Sequence, residues 1–296
     1  MVFILDKICY YNLIRRLSIV SSPFPRVKYL NNRDLLREIH KSKTTYCSFT
    51  KPEYNQYDLI LPSLDKINIR TIADAKRNQA SRLAKQAHEA EMRKQNKKIP
   101  AKEFDIDYKK IQKTDVVFRI MTFEHIPLAP GRKKNPKSVA DHHEKVNFPP
   151  FQHWKFDDEG NLFCVGKSHW KGDLEKGEFC KEHGQATNEL AKMWMKLCER
   201  YATRSNVRGY TYNDEMRGQA ILQLTQIGLQ FDESKSDNPF AYYTAAVTNS
   251  FVRIINIEKR NQNIRDDILE INGMNPSWTR QWQDSFGDRS SDKDND

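Results

Sequence analysis

The run "FDESKSDNPFAYYTAAVTNSFVRIINIEKR", Phe231 to Arg260, decides how the chain is read. It opens as a charged loop, and Asn238 followed by Pro239 then supplies a helix N-cap and a first-turn proline, where a missing N–H costs nothing. Beyond them, Phe240, Tyr243, Val247, Phe251 and Ile254 recur at the 3 and 4 spacing of a buried helix face. Tyr242, Asn249, Arg253, Asn256 and Arg260 recur on another face, and Lys259 extends the charge. Periodicity therefore turns Tyr242 outward and Tyr243 inward. The outward set combines an aromatic ring, amides and guanidinium groups. That mixture suits single-stranded nucleic acid: rings hold unstacked bases at ~1 to 3 kcal/mol each, Asn reads base edges and Arg grips phosphate or guanine.

Two more helices precede this one. Ala186, Leu190, Met193, Trp194, Leu197 and Tyr201 follow the spacing of a buried face, and Gly209 breaks the pattern. Thr211 and Asp214 carry a capping-box signature for the next helix, whose apolar seam is Met216, Ala220, Leu224 and Ile227. Beside that seam Glu215, Gln219, Gln223, Gln226 and Gln230 recur at 4, 4, 3 and 4. A solvated face usually alternates Lys and Glu, whereas amides both donate and accept hydrogen bonds and suit a protein interface. Residues 186–270 are thus expected to form a compact three-helix unit.

The remainder divides by composition. Residues 115–185 read as a small β-containing insert, with a strand in "VVFRIMTF" and a hairpin in "FQHWKFDDEGNLFCVG" turning at Glu159-Gly160-Asn161. Residues 27–114 read as basic helical arms. Asn32 caps a short helix bearing Leu35, Leu36 and Ile39, and Ile69 to Lys98 forms a longer one with a narrow seam of Ala80, Leu83, Ala84 and Ala87. Between Arg70 and Lys110 stand 12 Lys or Arg against 6 Asp or Glu, which suits an arm along a phosphate backbone. Residues 1–26 read as an appendage, as if the working chain began near Val27, and residues 271–296 as a tail. The expected fold class is mainly α.

The 296 residues carry a formal charge of +10, which favours a polyanionic partner through counterion release. Five scattered cysteines do not form a disulfide framework, so a reducing cytoplasm fits. No run approaches the ~18 apolar residues of a membrane span, and the opening is a poor secretory signal.

The run from Tyr212 to Arg260, "YNDEMRGQAILQLTQIGLQFDESKSDNPFAYYTAAVTNSFVRIINIEKR", resembles conserved region 2 of bacterial sigma factors. Its spacing, the "NNRDLL" element and the absence of later sigma domains resemble the late-transcription sigma factors of large contractile-tailed phages. The resemblance covers roughly residues 186 to 270. It implies that the chain works in the host cytoplasm, performs no chemistry itself, binds the host core RNA polymerase and directs initiation at a −10-like A/T-rich element. The second helix would dock on the clamp coiled coil through Glu215, Gln219 and Ile221, to which the amide stripe adds Gln223 and Gln226. By position, Tyr243 would stack on the flipped adenine, and Asn249 and Ser250 would read the upstream edge. Resemblance and periodicity thus differ by one residue over the stacking tyrosine. The paired tryptophans that primary sigma factors wedge into the duplex fall at Ala246 and Val247, so opening would lean on an easily melted element. A sliding-clamp coactivator would replace the missing −35 anchorage. In the tail, Trp278, Trp282 and Phe286 at i, i+4 and i+8 are candidates for the polymerase β-flap.

Two rival chemistries have residues to offer. Cys164, His169, Cys180 and His183 could ligate zinc and make the middle region a zinc-stabilised nucleic-acid-binding module. His142, His143, Glu144, His153, Asp157 and Asp158 could serve a metal-dependent nuclease, although no ordered nucleophile, base and orienter accompany them. No P-loop or dinucleotide glycine pattern is present.

Overall fold

The computed structural model describes residues 30–95, 100, 104–131 and 138–287. The appendage at 1–26 lies outside them. In chain order the elements are α1 (Asn32–Thr44), β1 (Cys47–Phe49), β2 (Leu59–Leu61), α2 (Ile69–Gln95), β3 (Val117–Met121), β4 (Phe151–Phe156), β5 (Leu162–Ser168), β6 (Trp170–Lys171), β7 (Glu178–Phe179), α3 (Asn188–Ala202), α4 (Asn213–Ile227), α5 (Pro239–Ile271) and α6 (Trp278–Gly287). The fold is mainly helical, with a five-stranded sheet in the order β1-β5-β4-β3-β2 and a separate β6-β7 ribbon. β2 and β3 run parallel, and the other pairings in the sheet are antiparallel.

The hairpin forms where expected: the Asp157 N–H bonds the Asn161 carbonyl at 2.8 Å, and Gly160 takes the positive φ of 85° that the turn requires. The expected boundary at residue 114 does not hold for the sheet. β1 and β2, both within the segment read as helical arms, are its two edge strands. At three residues each, they are too short for alternation to register.

The two sheet faces differ in chemistry. Phe118, Ile120 and Phe156 join Leu61, Val116, Ile111 and the α2 residues Ala75 and Ala80 in an apolar cluster. Only the first half of α2 is anchored in this way, since Leu83, Lys85, Gln86 and Ala87 are exposed. Pleating sends Arg119 and its cross-strand partner His153 to the opposite face, toward α1 and the loop after α4.

In the helical unit, Leu190, Trp194, Leu197 and Tyr201 of α3 pack with Met216, Ala220 and Leu224 of α4 and with Tyr243, Val247, Phe251 and Ile254 of α5. Each fully buried large apolar side chain contributes about 1.5–3 kcal/mol. Phe240, expected in this core, is on the exposed first turn of α5. Asn238 caps α5 as expected, its side-chain oxygen accepting the Ala241 N–H at 3.0 Å. Asn32, expected to cap α1, instead accepts the Phe240 N–H at 3.1 Å and ties the start of α1 to the start of α5. The expected Thr211 box does not cap α4; the helix begins at Asn213, whose amide donates to the carbonyls of Ala202 and Val207 at 3.1 Å each. At the end of α4, a Cβ on Gly228 would lie 2.2 Å from the Trp194 indole, so only glycine fits that turn.

A buried charged cluster joins the sheet to the helices. Arg119 is sandwiched between the Tyr57 and Phe151 rings, 3.8 and 3.9 Å from their centroids. Its Nε donates to His153 Nε2 at 3.0 Å, Nη1 pairs with Glu233 at 2.7 Å, and Nη2 meets His40 Nδ1 at 3.2 Å. His153 Nδ1 in turn donates to the Tyr54 carbonyl at 2.7 Å, which selects the neutral tautomer that leaves Nε2 free to accept. Glu233 also receives Lys43 Nζ at 3.3 Å and the Tyr57 hydroxyl at 3.1 Å, while Lys43 donates to the Phe231 carbonyl at 2.7 Å.

Burial, ahead of the Arg119 charge, lowers His40 to about 3 and puts His153 well below its ordinary value; burial likewise takes His125 to about 4 and His169 to about 3. Once unfolded, these rings titrate near 6.5. Below that pH the unfolded chain therefore binds protons that the folded chain does not, and stability falls as pH drops. Glu233 acts in the same direction at lower pH. Burial alone would raise its pKa, but Lys43 and Arg119 hold it down to about 2, so its contribution is lost as pH falls from 4.5 through 2. The unfolding free energy from urea melts should therefore drop steadily from pH 7 to pH 5, by up to about 1.4 kcal/mol per pH unit for each histidine; a flat profile would contradict neutral burial. At pH 7, Glu233→Gln should cost about 3–5 kcal/mol in equilibrium unfolding, because it strands two buried cations, and a loss under about 1 kcal/mol would show the pairing to be dispensable.

Candidate functional site

The short link through Gly228 and the 231–238 loop makes α4 and α5 antiparallel neighbours. Between them lies a groove of about 450 Å³, lined by Glu215, Gln219, Leu222, Gln223 and Gln226 from α4 and by Ser250, Arg253, Ile254, Ile257 and Glu258 from α5. Four of the five residues assigned to polymerase docking meet here. Ile221 is half-buried and outside the lining. Two residues assigned to DNA, Ser250 and Arg253, share the same groove, so the two expected surfaces merge along one edge. The antiparallel arrangement puts Glu215 and Glu258 at one end, with exposed Leu222 and Ile257 supplying apolar contact between polar rims. This geometry fits the side of a helix that carries one apolar row flanked by polar and basic residues.

On its outward side α5 exposes Asn249, Arg253, Asn256, Lys259 and Arg260. Two assignments to DNA need correction. Tyr243 is 0% exposed, its ring edge-on to Trp194 and its hydroxyl donating to the Gly228 carbonyl at 2.7 Å, so it cannot stack on a base while this core is intact. Ser250 is likewise buried, at the floor of the groove. The cause is helical phase, since both residues share the stripe of Val247 and Ile254. Ala246 and Val247 lie on that buried side as well, so the positions of the tryptophan wedge are here occupied by core. Tyr242 is half-buried, with its hydroxyl on the Ile227 carbonyl at 3.2 Å and its ring 5.5 Å from that of Phe231. Its periodicity-based placement agrees with the structure, and it is the tyrosine of the pair with an accessible ring.

The tail folds back on the far end of α5. Ser277 N–H and Oγ bond Asp266 at 2.8 and 2.7 Å, and Arg280 pairs with Asp267 and Glu270 at 3.0 and 3.3 Å. These contacts seat α6 but leave Trp278 and Trp282 at 77% and 56% exposure. The Phe286 side chain lies outside the described residues.

The rival metal sets are not assembled. Among the described residues, no group of three or more His, Cys, Asp or Glu side chains is placed to hold a metal ion. Cys164 Sγ is on the Gly166 carbonyl at 3.4 Å, and the His169 ring packs at a tilt against Phe148, 4.1 Å between centroids. His153 is committed to Arg119 and Tyr54. Among the described residues no helix is long and apolar enough to cross a membrane.

Sequence reasoning missed Arg119, Glu233, Lys43 and His40, which hold the loop leading into α5. One signal was available: a lone arginine amid "VVFRIMTF" is costly in a strand core unless a carboxylate reaches it. Which carboxylate does so was not readable.

Comparison of the chain with family models, with curated proteins and with solved structures gives no match. The two tyrosines give a direct check on the geometry. On the expectation that Tyr242 holds an unstacked base, Tyr242→Ala should weaken binding of a labelled single-stranded oligonucleotide about tenfold in fluorescence anisotropy. Tyr243→Phe should lower stability by about 1–2 kcal/mol through the lost Gly228 bond, and an affinity unchanged by Tyr242→Ala would remove Tyr242 as the stacking residue.

Proposed function

We propose that this chain is a promoter-recognition subunit of the phage late sigma type, which binds a host core RNA polymerase and directs initiation at a −10-like A/T-rich element. One observation carries the reading: the amide-lined groove of α4 adjoins the outward Asn249, Arg253, Asn256 and Arg260 face of α5, in the segment whose sequence resembles sigma region 2. In this reading, the clamp coiled coil of the largest polymerase subunit lies along Glu215, Gln219, Gln223 and Gln226. Promoter DNA lies on the outer side of α5.

Each residue type has a definite task. Tyr242 offers the aromatic surface for an unstacked base, Asn249 and Asn256 offer paired donors and acceptors to base edges, and Arg253, Lys259 and Arg260 neutralise phosphates. The chain has no reaction to perform, because nucleotide joining belongs to the polymerase. With Ala246 and Val247 in the core rather than as an exposed wedge, opening depends on easily unstacked steps and on trapping of the bases once they open. The exposed indoles of Trp278 and Trp282 are the proposed contact for the β-flap, and a sliding-clamp coactivator is the proposed upstream anchor. The working compartment is the host cytoplasm.

The test pairs a pull-down on bacterial core polymerase with transcription from a template bearing only a −10-like element. The wild-type chain should bind core and initiate. Gln219→Ala with Gln223→Ala should weaken core binding about tenfold or more, whereas Asn249→Ala with Arg253→Ala should reduce initiation with smaller loss of core binding. Trp278→Ala with Trp282→Ala should weaken only the isolated flap interaction. A chain that fails to bind core would end this reading.

A further inference from the structure

A larger, charged concavity lies away from the α4–α5 groove. Between α1 and α2 runs a second groove of about 720 Å³, lined by Arg33, Arg37 and Lys41 of α1 and by Arg82 and Lys85 of α2, with Glu89 the one carboxylate among the described lining residues. Asn55, Gln56, Asn78 and Gln86 add amides, and Tyr57 and His40 complete the inner wall.

The placement of charge is directional. Arg33, Arg37 and Lys41 have side chains 70%, 53% and 56% exposed, whereas Glu38, which pairs with Arg37 and Lys41 at 3.5 and 2.8 Å, is 5% exposed. Arg82 is braced in the same way by the fully buried Asp58 at 2.7 Å. Glu38 and Asp58 thus pair with the charged ends of Arg37, Lys41 and Arg82 from the buried side, and Arg33 pairs with the exposed Glu89 of α2 at 3.0 Å; five cations against that one lining carboxylate leave the groove positive. Spaced four residues apart on one helix, Arg33, Arg37 and Lys41 form a row at about 6 Å intervals. Such a row can follow a linear polyanion with one charge per unit.

The mouth of the groove is tied to α5. Asn32, the neighbour of Arg33, bonds the Phe240 N–H in the first turn of that helix. We infer that the α1–α2 groove is a channel for a nucleic-acid backbone, which carries the strand onward from the amino end of α5. The inference rests on reading α5 as a nucleic-acid face and adds a path and residues to it. A backbone is favoured over a lipid surface because the site is concave and rimmed by amides, and among the described lining residues Leu36 is the sole purely aliphatic chain.

The experiment uses the full chain and a fluorescent single-stranded oligonucleotide, with affinity followed across a salt series. Arg37→Gln, Lys41→Gln and Lys85→Gln combined should make the slope of log affinity against log salt shallower by about 2, and should weaken binding at least about tenfold at low salt. Lys85→Glu alone alters an exposed position on α2 and should shift the slope by about 0.7, which guards against misfolding of the combined variant. Unchanged slopes in both overturn the channel. If Asn249→Ala with Arg253→Ala abolishes binding while both groove variants keep the wild-type slope, the channel falls and the promoter reading stands. If the groove variants alone lose the slope, the groove holds the backbone but the path onward from α5 falls with the α5 face. Capture of the chain by phosphatidylserine vesicles without oligonucleotide binding also overturns it.

Discussion

The pairing of Arg119 with Glu233 is the interaction on which the arrangement of this molecule turns. Arg119 belongs to the sheet and Glu233 to the loop that delivers the chain from α4 into α5. Lys43 of α1 binds the same carboxylate, so three separate parts of the chain converge on one side chain. Taking these charges from water is costly, and attraction in the interior offsets that cost only when every donor is used. Here Nε, Nη1 and Nη2 of the guanidinium each meet a partner, and both faces of its plane are covered by rings. An apolar cluster of similar volume would hold the parts together as well but would tolerate sliding. Fixed charge partners set one register for the loop.

That register has consequences for the candidate interface. The 231–238 loop determines where α5 begins, and the helical phase set there decides which tyrosine of the Tyr242-Tyr243 pair turns outward. Asn32 reinforces the same point from α1 through the Phe240 N–H. The β-containing middle of the chain therefore acts as a brace for the helical unit, because its sheet presents Arg119, backed by His153, to the loop. The same brace positions α1 beside α2 and so shapes the basic groove between them.

Much of the candidate site was legible. Helical periodicity depends only on the chemistry of side chains three and four apart, and it correctly assigned Asn249, Arg253, Asn256 and Arg260 to an exposed face of α5. Transfer by resemblance did less well at Tyr243 and Ser250, because aligned positions preserve order along a chain while a shift of one residue turns a side chain by 100° around a helix. Long-range pairings were not legible. A three-residue strand such as β1 carries no period, and nothing local indicates that it will join β5 more than a hundred residues later.

By itself the sequence determined the helices, their apolar stripes, the hairpin at Gly160 and the excess of positive charge, since each is a property of neighbours along the chain. Only the tertiary structure decided that Arg119 would be neutralised by Glu233, that the amide stripe and Arg253 would line a single groove, and that α1 and α2 would enclose another. Those outcomes depend on which surfaces meet when apolar area is buried. Burial is non-directional, so it fixes how much surface is removed from water, while the few buried charges and capping contacts fix which residues face each other.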